Sequence, residues 1–136
     1  MYFSVICIQE ARISDNTDVN TLDLPGYTLH EKPSVCFSTG GLAIYVHNDF
    51  SATKREKLTY STENSEALTL DISGKSIADK LTVINLYRPP RNNNNLQSIR
   101  KFIDEIKPVM NTLKKENTYA FCTADFNINL LKMNID

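Results

Sequence analysis

The sequence predicts a mixed α/β domain in which a helix packs on a β-sheet. Five short stretches are mainly apolar, and more polar segments separate them. One longer stretch repeats apolar residues at spacings of three and four, which is typical of an amphipathic helix. The resulting order is strand, long loop, three strands, helix and strand, and this order predicts the fold class.

Length and composition agree with a single folded domain. The chain has 136 residues, of which 41% are hydrophobic and 23% are charged. A chain of this size can bury a real core, and its composition argues against disorder along the whole length. The formal net charge is −1, so there is no global basic field of the kind that marks many nucleic-acid binders.

The first half of the chain contains one clear strand and a long loop. The stretch FSVICIQEA, residues 3–11, is apolar until it reaches Gln9 and Glu10, which predicts a buried strand with a carboxylate at its C-terminal end. The following residues, to about 40, are polar and contain Pro25-Gly26 and Pro33. They are predicted to form a loop with one short strand at YTLHE, residues 27–31.

Three further strands follow with only loops between them. They are predicted at GGLAIYVHN (40–48), EALTLDI (66–72) and KLTVINLYRPP (80–90), the last ended by two prolines. Because their connections are short, antiparallel pairing among 41–48, 66–72 and 80–87 is expected.

The helix is predicted to begin at Leu96, within the asparagine-rich stretch RNNNNLQ (91–97), whose asparagines can provide a turn and an N-cap. Its apolar face is formed by Leu96, Ile99, Phe102, Ile103, Ile106, Val109, Met110 and Leu113. Pro108 is expected to kink the helix or split off its last turn. The helix should end in KKENT, and YAFCTA, residues 119–124, then reads as a buried fifth strand that leads to Asp125.

Polar side chains stand at three of these strand ends: Glu10, then Tyr87 with Arg88, then Asp125 with Asn127. If the last strand continues through Phe126, Asp125 and Asn127 project from the same face while Phe126 turns towards the core. Carboxylates suit Mg²⁺, and phenol, amide and guanidinium groups can donate to phosphate oxygens. A strand that ends in an acid is common, however, because strand ends meet solvent, so this spacing alone predicts the site only weakly.

The remaining reactive and charged residues point to an ordinary intracellular protein. Cys7, Cys36 and Cys122 are odd in number and widely spaced, which argues against a disulfide framework and against a zinc site. The N-terminus lacks the pattern of a signal peptide, and no apolar run is long enough for a membrane span. We therefore expect a nuclear or cytoplasmic protein that is neither secreted nor bound to a membrane. Local basic groups occur at Lys54, Arg55, Lys57, Arg88, Arg91, Arg100 and Lys101, and solvated surface clusters are their commoner explanation.

The motifs VICIQEA, GGLAIYV, EALTLDI, INLYRPP and ADFNINLLK occur in the order, and at roughly the separations, of the endonuclease/exonuclease/phosphatase superfamily. The sequence most resembles the endonuclease domains of non-LTR retrotransposons, of the jockey-like, reverse-transcriptase-linked kind. The resemblance covers nearly the whole chain, and QE, YRPP and DFN together in this order are quite specific. It implies a DNase I-like four-layer α/β sandwich, of which this chain would be the central portion. It also implies Mg²⁺-dependent cleavage of a phosphodiester bond in DNA, with Mn²⁺ as an alternative metal.

The resemblance assigns roles to four residues. Glu10 of the QE motif would bind the metal, and Tyr87 of YRPP would donate a hydrogen bond to the scissile phosphate. Asp125 of DFN would orient or deprotonate the attacking water and contribute to the metal site, and Asn127 would help to hold the phosphate and the aspartate. Arg88 would join Tyr87 and Asn127 in binding substrate, Gln9 would support its neighbour, and Glu66 is expected to be mainly structural.

Three departures from the family pattern are visible. Ala124 stands where the family usually has glycine before the aspartate. The family's first strand–helix unit is absent ahead of the QE strand, and so is its C-terminal SDH motif; His30 and His47 do not match that motif. Residues 1–136 are therefore expected to form one partial domain that is truncated at both ends and leaves sheet edges uncovered. The remainder of a larger retrotransposon polyprotein would be a partner.

Two other functions remain open. The chain could be a relic that keeps the fold without catalysis and serves at most as a nucleic-acid or protein binding module. It could instead be a phosphatase acting on another phosphate ester, because one fold hosts many functions.

Overall fold

The computed structural model describes residues 2–36, 39–75, 77, 80–90 and 96–128. The predicted turn and N-cap at 91–95, Arg91 among them, lie outside these residues. Within the part described, no helix is long and apolar enough to cross a lipid bilayer.

The described residues form eight strands and one long helix. They are β1 (Val5–Ile8), β2 (Tyr27–Lys32), β3 (Leu42–His47), β4 (Ser51–Lys54), β5 (Tyr60–Ser61), β6 (Glu66–Ser73), β7 (Leu81–Tyr87), α1 (Leu96–Glu116) and β8 (Tyr119–Asp125). Two short 3₁₀ helices, Val19–Leu22 and Glu56–Leu58, lie in the connections. All five predicted strands and the predicted short strand at YTLHE are confirmed as strands, whereas β4 and β5 were not predicted. The prediction that the first strand is buried is wrong, because β1 is only half-buried and Ile8 is 39% exposed.

The strands form two sheets. The smaller sheet has the order β1-β3-β2 and is antiparallel throughout. The larger sheet has the order β4-β6-β7-β8, with β5 paired beside β4 on the same partner, β6. Strand β8 runs parallel to β7, because α1 carries the chain back across the sheet between them.

The predicted antiparallel pairing is right for β6 with β7 and wrong for β3. Strand β3 hydrogen-bonds to β1 and β2 in the smaller sheet, and the neighbours of β6 are β4, β5 and β7. The apolar face of β3 meets β6 through side chains instead. Leu42, Ile44 and Val46 join Leu68, Leu70 and Ile72 in one buried cluster between the sheets. A strand can satisfy its backbone in one sheet and bury its face against another, which sequence periodicity does not distinguish.

The larger sheet is covered on both faces. One face packs on the smaller sheet, and the other packs on α1, where Ile84 and Leu86 contact Val109 and Leu113. The layers are therefore sheet, sheet and helix, with β6 and β7 at the centre.

Helix α1 does not split at Pro108; it continues to Glu116. A proline inside a helix removes one backbone hydrogen bond. Here buried residues lie on both sides of it, Ile99 and Phe102 before and Val109 and Leu113 after, and their packing holds both parts of the helix on the sheet.

The prediction that the last strand is buried is wrong. Strand β8 is an edge strand, and all seven of its residues are exposed, Tyr119 by 72% and Phe121 by 67%. A groove of about 520 Å³ runs along this edge between the two sheets, lined by Val5, Cys7, Gln9, Leu81, Val83, Phe121, Thr123 and Ala124. The apolar residues of β8, which predicted a buried strand, instead form a surface that no other described residues cover.

Candidate active site

Glu10 lies in a tight turn that follows β1. The strand ends at Ile8, and both Glu10 and Arg12 have left-handed backbone angles, with φ of 51° and 53°. Non-glycine residues rarely adopt this conformation and need support from their surroundings. The support comes from the Gly40–Gly41 turn, because the amides of Ala11 and Arg12 donate to the carbonyls of Gly41 and Gly40 at 2.9 and 2.7 Å.

Tyr87 is the last residue of β7, and its side chain is buried. Its hydroxyl donates a hydrogen bond to Oε1 of Glu10, which is exposed. Burial raises the pKa of Tyr87 well above 10, and the bond to Glu10 and the charges of Glu10, Asp125 and Glu66 raise it further. The phenol is therefore protonated at neutral pH and acts as a hydrogen-bond donor.

Asp125 stands beside Tyr87 at the end of the neighbouring strand. The parallel register aligns the two residues, and Asp125 is exposed. Its Oδ1 accepts a hydrogen bond from the backbone amide of Asn127 at 3.0 Å. The charge of Asp125 and that of Glu10 both act on the Tyr87 hydroxyl, so the ends of β1, β7 and β8 lie close together, although β1 belongs to the other sheet.

The predicted geometry of Asp125 and Asn127 is wrong in one respect. The strand does not continue through Phe126: it ends at Asp125, and Asn127 has a left-handed φ of 47°. The two side chains therefore belong to a turn rather than to one strand face. The amide Nδ2 of Asn127 donates to the carbonyl of Arg88 at 2.9 Å. Phe126 does turn towards the helix, with its ring 5.4 Å from that of Phe102, while remaining 41% exposed.

Arg88 is almost fully buried, with 1% of its surface exposed. Its guanidinium donates to the carbonyls of Phe126 and Asn127 at 3.1 and 3.3 Å and to the hydroxyl of Ser98 at 2.8 Å. Its backbone amide donates to the carbonyl of Asp125 at 2.9 Å. These bonds fix the turn after β8, and with it the position of Asp125 and Asn127.

Asn85 is a residue that the sequence analysis overlooked. It lies in the middle of β7, and none of its surface is exposed. Its Nδ2 donates to the carbonyls of Ile8 and Ala43 at 2.9 and 3.2 Å, and its Oδ1 accepts from Gln9 at 2.5 Å. One amide thus joins the two sheets next to the turn that carries Glu10. A single asparagine in the apolar run TVINLY was the available signal, because buried polar groups need partners.

The two site carboxylates, Glu10 and Asp125, provide hard oxygen ligands. Mg²⁺ usually takes only one or two protein carboxylates and keeps several waters, so this pair suits it. Within the described residues, no group of three or more histidine, cysteine, aspartate or glutamate side chains is arranged to hold a metal ion. Glu10 and Asp125 together would coordinate a metal only in part, with water completing its coordination.

His47 and two of the basic groups, Lys54 and Arg55, contact residues outside the candidate site. His47 stacks on Tyr2 with ring centres 4.0 Å apart and lies opposite the start of β1, at the far end of the sheet from Glu10. Arg55 forms two 2.6 Å hydrogen bonds with Glu116, and Lys54 donates to the carbonyl of Glu31 at 3.0 Å. Two of the predicted basic groups are thus engaged within the protein.

Comparison by sequence finds no matching family model and no matching curated protein. Comparison by structure finds several solved proteins of similar fold. The catalytic domain of human Nocturnin, solved with a bound sulfate anion, has a TM-score of 0.66 and 17% identity over 93% of this chain and 52% of its own. Truncated TDP2 of Caenorhabditis elegans has a TM-score of 0.63 and 16% identity over 96% of this chain and 52% of its own.

A third structure is an endonuclease/exonuclease/phosphatase family protein from Bacteroides thetaiotaomicron. It has a TM-score of 0.60 and 14% identity over 96% of this chain and 52% of its own. The chain thus spans about half the length of each of these three structures. Its mixed α/β architecture is a partial DNase I-like fold.

Proposed function

We propose that this chain is the central part of a Mg²⁺-dependent DNA endonuclease domain of the kind found in non-LTR retrotransposons. The observation that carries the proposal is the contact of the Tyr87 hydroxyl with Glu10, beside Asp125 at the ends of three strands. Carboxylates, a protonated phenol and amides at adjacent strand ends of the two sheets are suited to the metal-assisted hydrolysis of a phosphate ester. The YRPP and DFN motifs favour the retrotransposon group.

Glu10 and Asp125 are the residues that would hold Mg²⁺, or Mn²⁺ in its place. Both carboxylates act on the same phenol, so both lie near the Tyr87 hydroxyl. When bound, the metal would offset the negative charge that develops on the phosphate oxygens.

Asp125 would also orient the attacking water and accept its proton. The backbone amide of Asn127 already holds one carboxylate oxygen at 3.0 Å, and Asp125 is an exposed residue. A carboxylate restrained in this way can position a nucleophile without first having to be ordered.

Tyr87 would donate its hydroxyl hydrogen to a phosphate oxygen, and it would have to leave its bond to Glu10 to do so, because a phenol has one donor. The raised pKa keeps the phenol protonated at neutral pH, and a neutral donor can approach an anionic oxygen without a large desolvation cost. Asn127 would contribute to the same phosphate contact, as the motif implies.

Arg88 takes a different part in the proposal. The predicted substrate contact of Arg88 stays a prediction, whereas its burial and its bonds to the carbonyls of Phe126 and Asn127 support a role in holding the turn. Contacts with DNA would then come from local groups and the metal, since the formal net charge is −1. A polypeptide from the rest of a longer protein would complete the domain.

Nicking of supercoiled plasmid tests the proposal. The purified chain, Asp125→Ala and the matched control Asp104→Ala would be assayed in Mg²⁺ and in EDTA; Asp104 is an exposed acid on α1. We expect Mg²⁺-dependent nicking by the chain and by the control, and a loss of about a hundredfold or more in Asp125→Ala. Equal background nicking by all three proteins, each shown by circular dichroism to be folded, would refute the enzyme and favour a relic.

A phosphatase acting on another phosphate ester is the second candidate. It is favoured by the likeness to a solved protein whose family name includes phosphatases. Hydrolysis of p-nitrophenyl phosphate, compared with bis-p-nitrophenyl phosphate under the same conditions, separates a monoesterase from a diesterase. A clear preference for the monoester would replace the endonuclease proposal.

A further inference from the structure

Glu66 is a buried carboxylate with a full set of neutral partners. It is the first residue of β6 and is 1% exposed. Its Oε1 accepts from the hydroxyls of Ser34 and Ser61 at 2.5 and 2.9 Å, and its Oε2 accepts from the amide of Gly41 at 2.8 Å. Burying a carboxylate is costly, so three converging donors indicate a specific structural demand at this position.

The Gly40–Gly41 turn is packed tightly between Glu66 and the segment that follows β1. Both glycines have left-handed backbone angles, with φ of 91° and 80°. A Cβ on Gly40 would lie 2.6 Å from the Ser34 hydroxyl and 2.8 Å from Glu66, and a Cβ on Gly41 would lie 2.7 Å from the backbone of Ile13. The turn therefore cannot shift without moving its neighbours on either side.

The same turn holds the residues next to Glu10. The amide of Gly41 bonds to Glu66, and the carbonyl of Gly41 accepts from the amide of Ala11 at 2.9 Å. The carbonyl of Gly40 accepts from the amide of Arg12 at 2.7 Å. Two hydrogen bonds in series thus connect the Glu66 carboxylate to the strained turn that carries Glu10.

Glu66 also lies beside the strand that carries the phenol. In the antiparallel register of β6 and β7, its Cα partner is Tyr87, and its charge contributes to the raised pKa of that residue. Glu66 is therefore connected to Glu10 through the Gly40–Gly41 turn and lies beside Tyr87 on the neighbouring strand.

We propose that Glu66 is a positioning residue that sets the backbone of Glu10 through the Gly40–Gly41 turn. It thereby fixes Glu10 against Tyr87. The expected effect of Glu66 on metal binding rests on the proposed function, in which Glu10 is a metal ligand. Glu66 does not contact the reacting groups itself; it acts through the turn.

The test compares Glu66→Gln with Asp71→Asn. Asp71 is the matched control because it is a carboxylate on the same strand, bonded to Thr82 at 2.8 Å and Lys80 at 3.0 Å, near the opposite end of β6. Hydrogen exchange of the Ala11 and Arg12 amides is measured first, because it requires neither metal nor substrate. Mn²⁺ binding by calorimetry is measured on the same samples.

We expect the Ala11 and Arg12 amides to exchange about tenfold faster in Glu66→Gln, and Mn²⁺ binding to weaken several-fold, since the Gly41 amide loses a charged acceptor. Asp71→Asn should change neither. Unchanged exchange in Glu66→Gln, or an equal change in Asp71→Asn, would overturn the inference. Faster exchange in Glu66→Gln, combined with Mn²⁺ binding equal to that of Asp71→Asn, would also overturn the inference. The Gly40–Gly41 turn would then move without affecting Glu10.

Two further outcomes are distinguishable. If the unmodified chain does not bind Mn²⁺, the proposed function loses its metal site, and the exchange of the two amides alone decides whether Glu66 sets the turn. If Glu66→Gln does not fold, Ser61→Ala removes only one of the three donors and should accelerate the same amides to a smaller extent. No acceleration in Ser61→Ala would then count against the inference.

Discussion

Strands β7 and β8 run side by side in the same direction, yet their surroundings are opposite. Six of the seven residues of β7 are buried, whereas all seven residues of β8 are exposed. Strand β7 has a neighbour on each side and a packed layer on each face, while β8 has one neighbouring strand. Both strands nevertheless end in a candidate site residue, Tyr87 in one and Asp125 in the other.

The difference in burial between β7 and β8 shows that the residues that stabilise the fold and the candidate site residues have different surroundings. The β6–β7 pair supplies the core, and the site lies where this core meets an exposed edge. The tip of β8 is attached to the tip of β7 by hydrogen bonds from the Arg88 backbone and guanidinium and from the Asn127 amide. A weakly packed strand can therefore present a well-positioned aspartate, because polar contacts rather than apolar packing hold its end.

The largest predicted effect contrasts the two strands directly. Ile84→Ala in β7 should lower the free energy of unfolding by about 2–5 kcal/mol, because Ile84 is 1% exposed and packs against α1. Phe121→Ala in β8 should lower it by no more than about 0.5 kcal/mol, because the ring is 67% exposed. Urea denaturation followed by circular dichroism measures both. A comparable loss in the two variants would mean that β8 is part of the core.

The second predicted effect, intermediate in size, is the loss of stability when the turn after β8 is no longer bonded to the guanidinium of Arg88. Arg88→Met should lower the free energy of unfolding by about 1.5–3 kcal/mol, because the carbonyls of Phe126 and Asn127 lose a charged donor. Nicking should fall by more than the loss of folded protein explains, since Asp125 is then poorly held. Lys101→Met, at an exposed position on α1, is the matched control. If Arg88→Met nicks as well as this control, the attachment is not needed for the site.

The smallest predicted effect is a dependence of stability on pH that arises outside both strands. Burial lowers the pKa of His30 on β2 below 6.5, the charge of Lys54 lowers it further, and Glu31 partly opposes the shift. Below about pH 6.5 the unfolded chain therefore binds more protons at this residue than the folded chain does. The free energy of unfolding should fall as the pH drops from 6.5 through the lowered pKa of His30.

His30→Gln should flatten this part of the stability curve, with urea midpoints between pH 7.5 and 5 as the measurement. Carboxylates titrate mainly below that range, so the variant and the unmodified chain can be compared directly. An unchanged slope in His30→Gln would show that another group is responsible.

The site was more predictable than its support. The residues Glu10, Tyr87 and Asp125 follow apolar strands, and the structure brings the ends of those strands together. Arg88 was predicted from the same motif as a substrate-binding group, but its burial depends on contacts with residues 98, 126 and 127, which are distant in sequence. Asn85 and Glu66 likewise make their hydrogen bonds with distant partners, so no local pattern identified those contacts.

The sequence by itself determined the apolar strands, the amphipathic helix and the polar residues that end the strands. These depend on local periodicity and on turn residues, which are properties of neighbouring positions. Only the tertiary structure decided that β3 joins β1 and β2 rather than β6, that β8 is an exposed edge, and that Asp125 and Asn127 share a turn. The physical reason is that sheet partners and burial are set by packing and hydrogen bonds between distant segments. An apolar strand can meet these requirements in the core or at an edge.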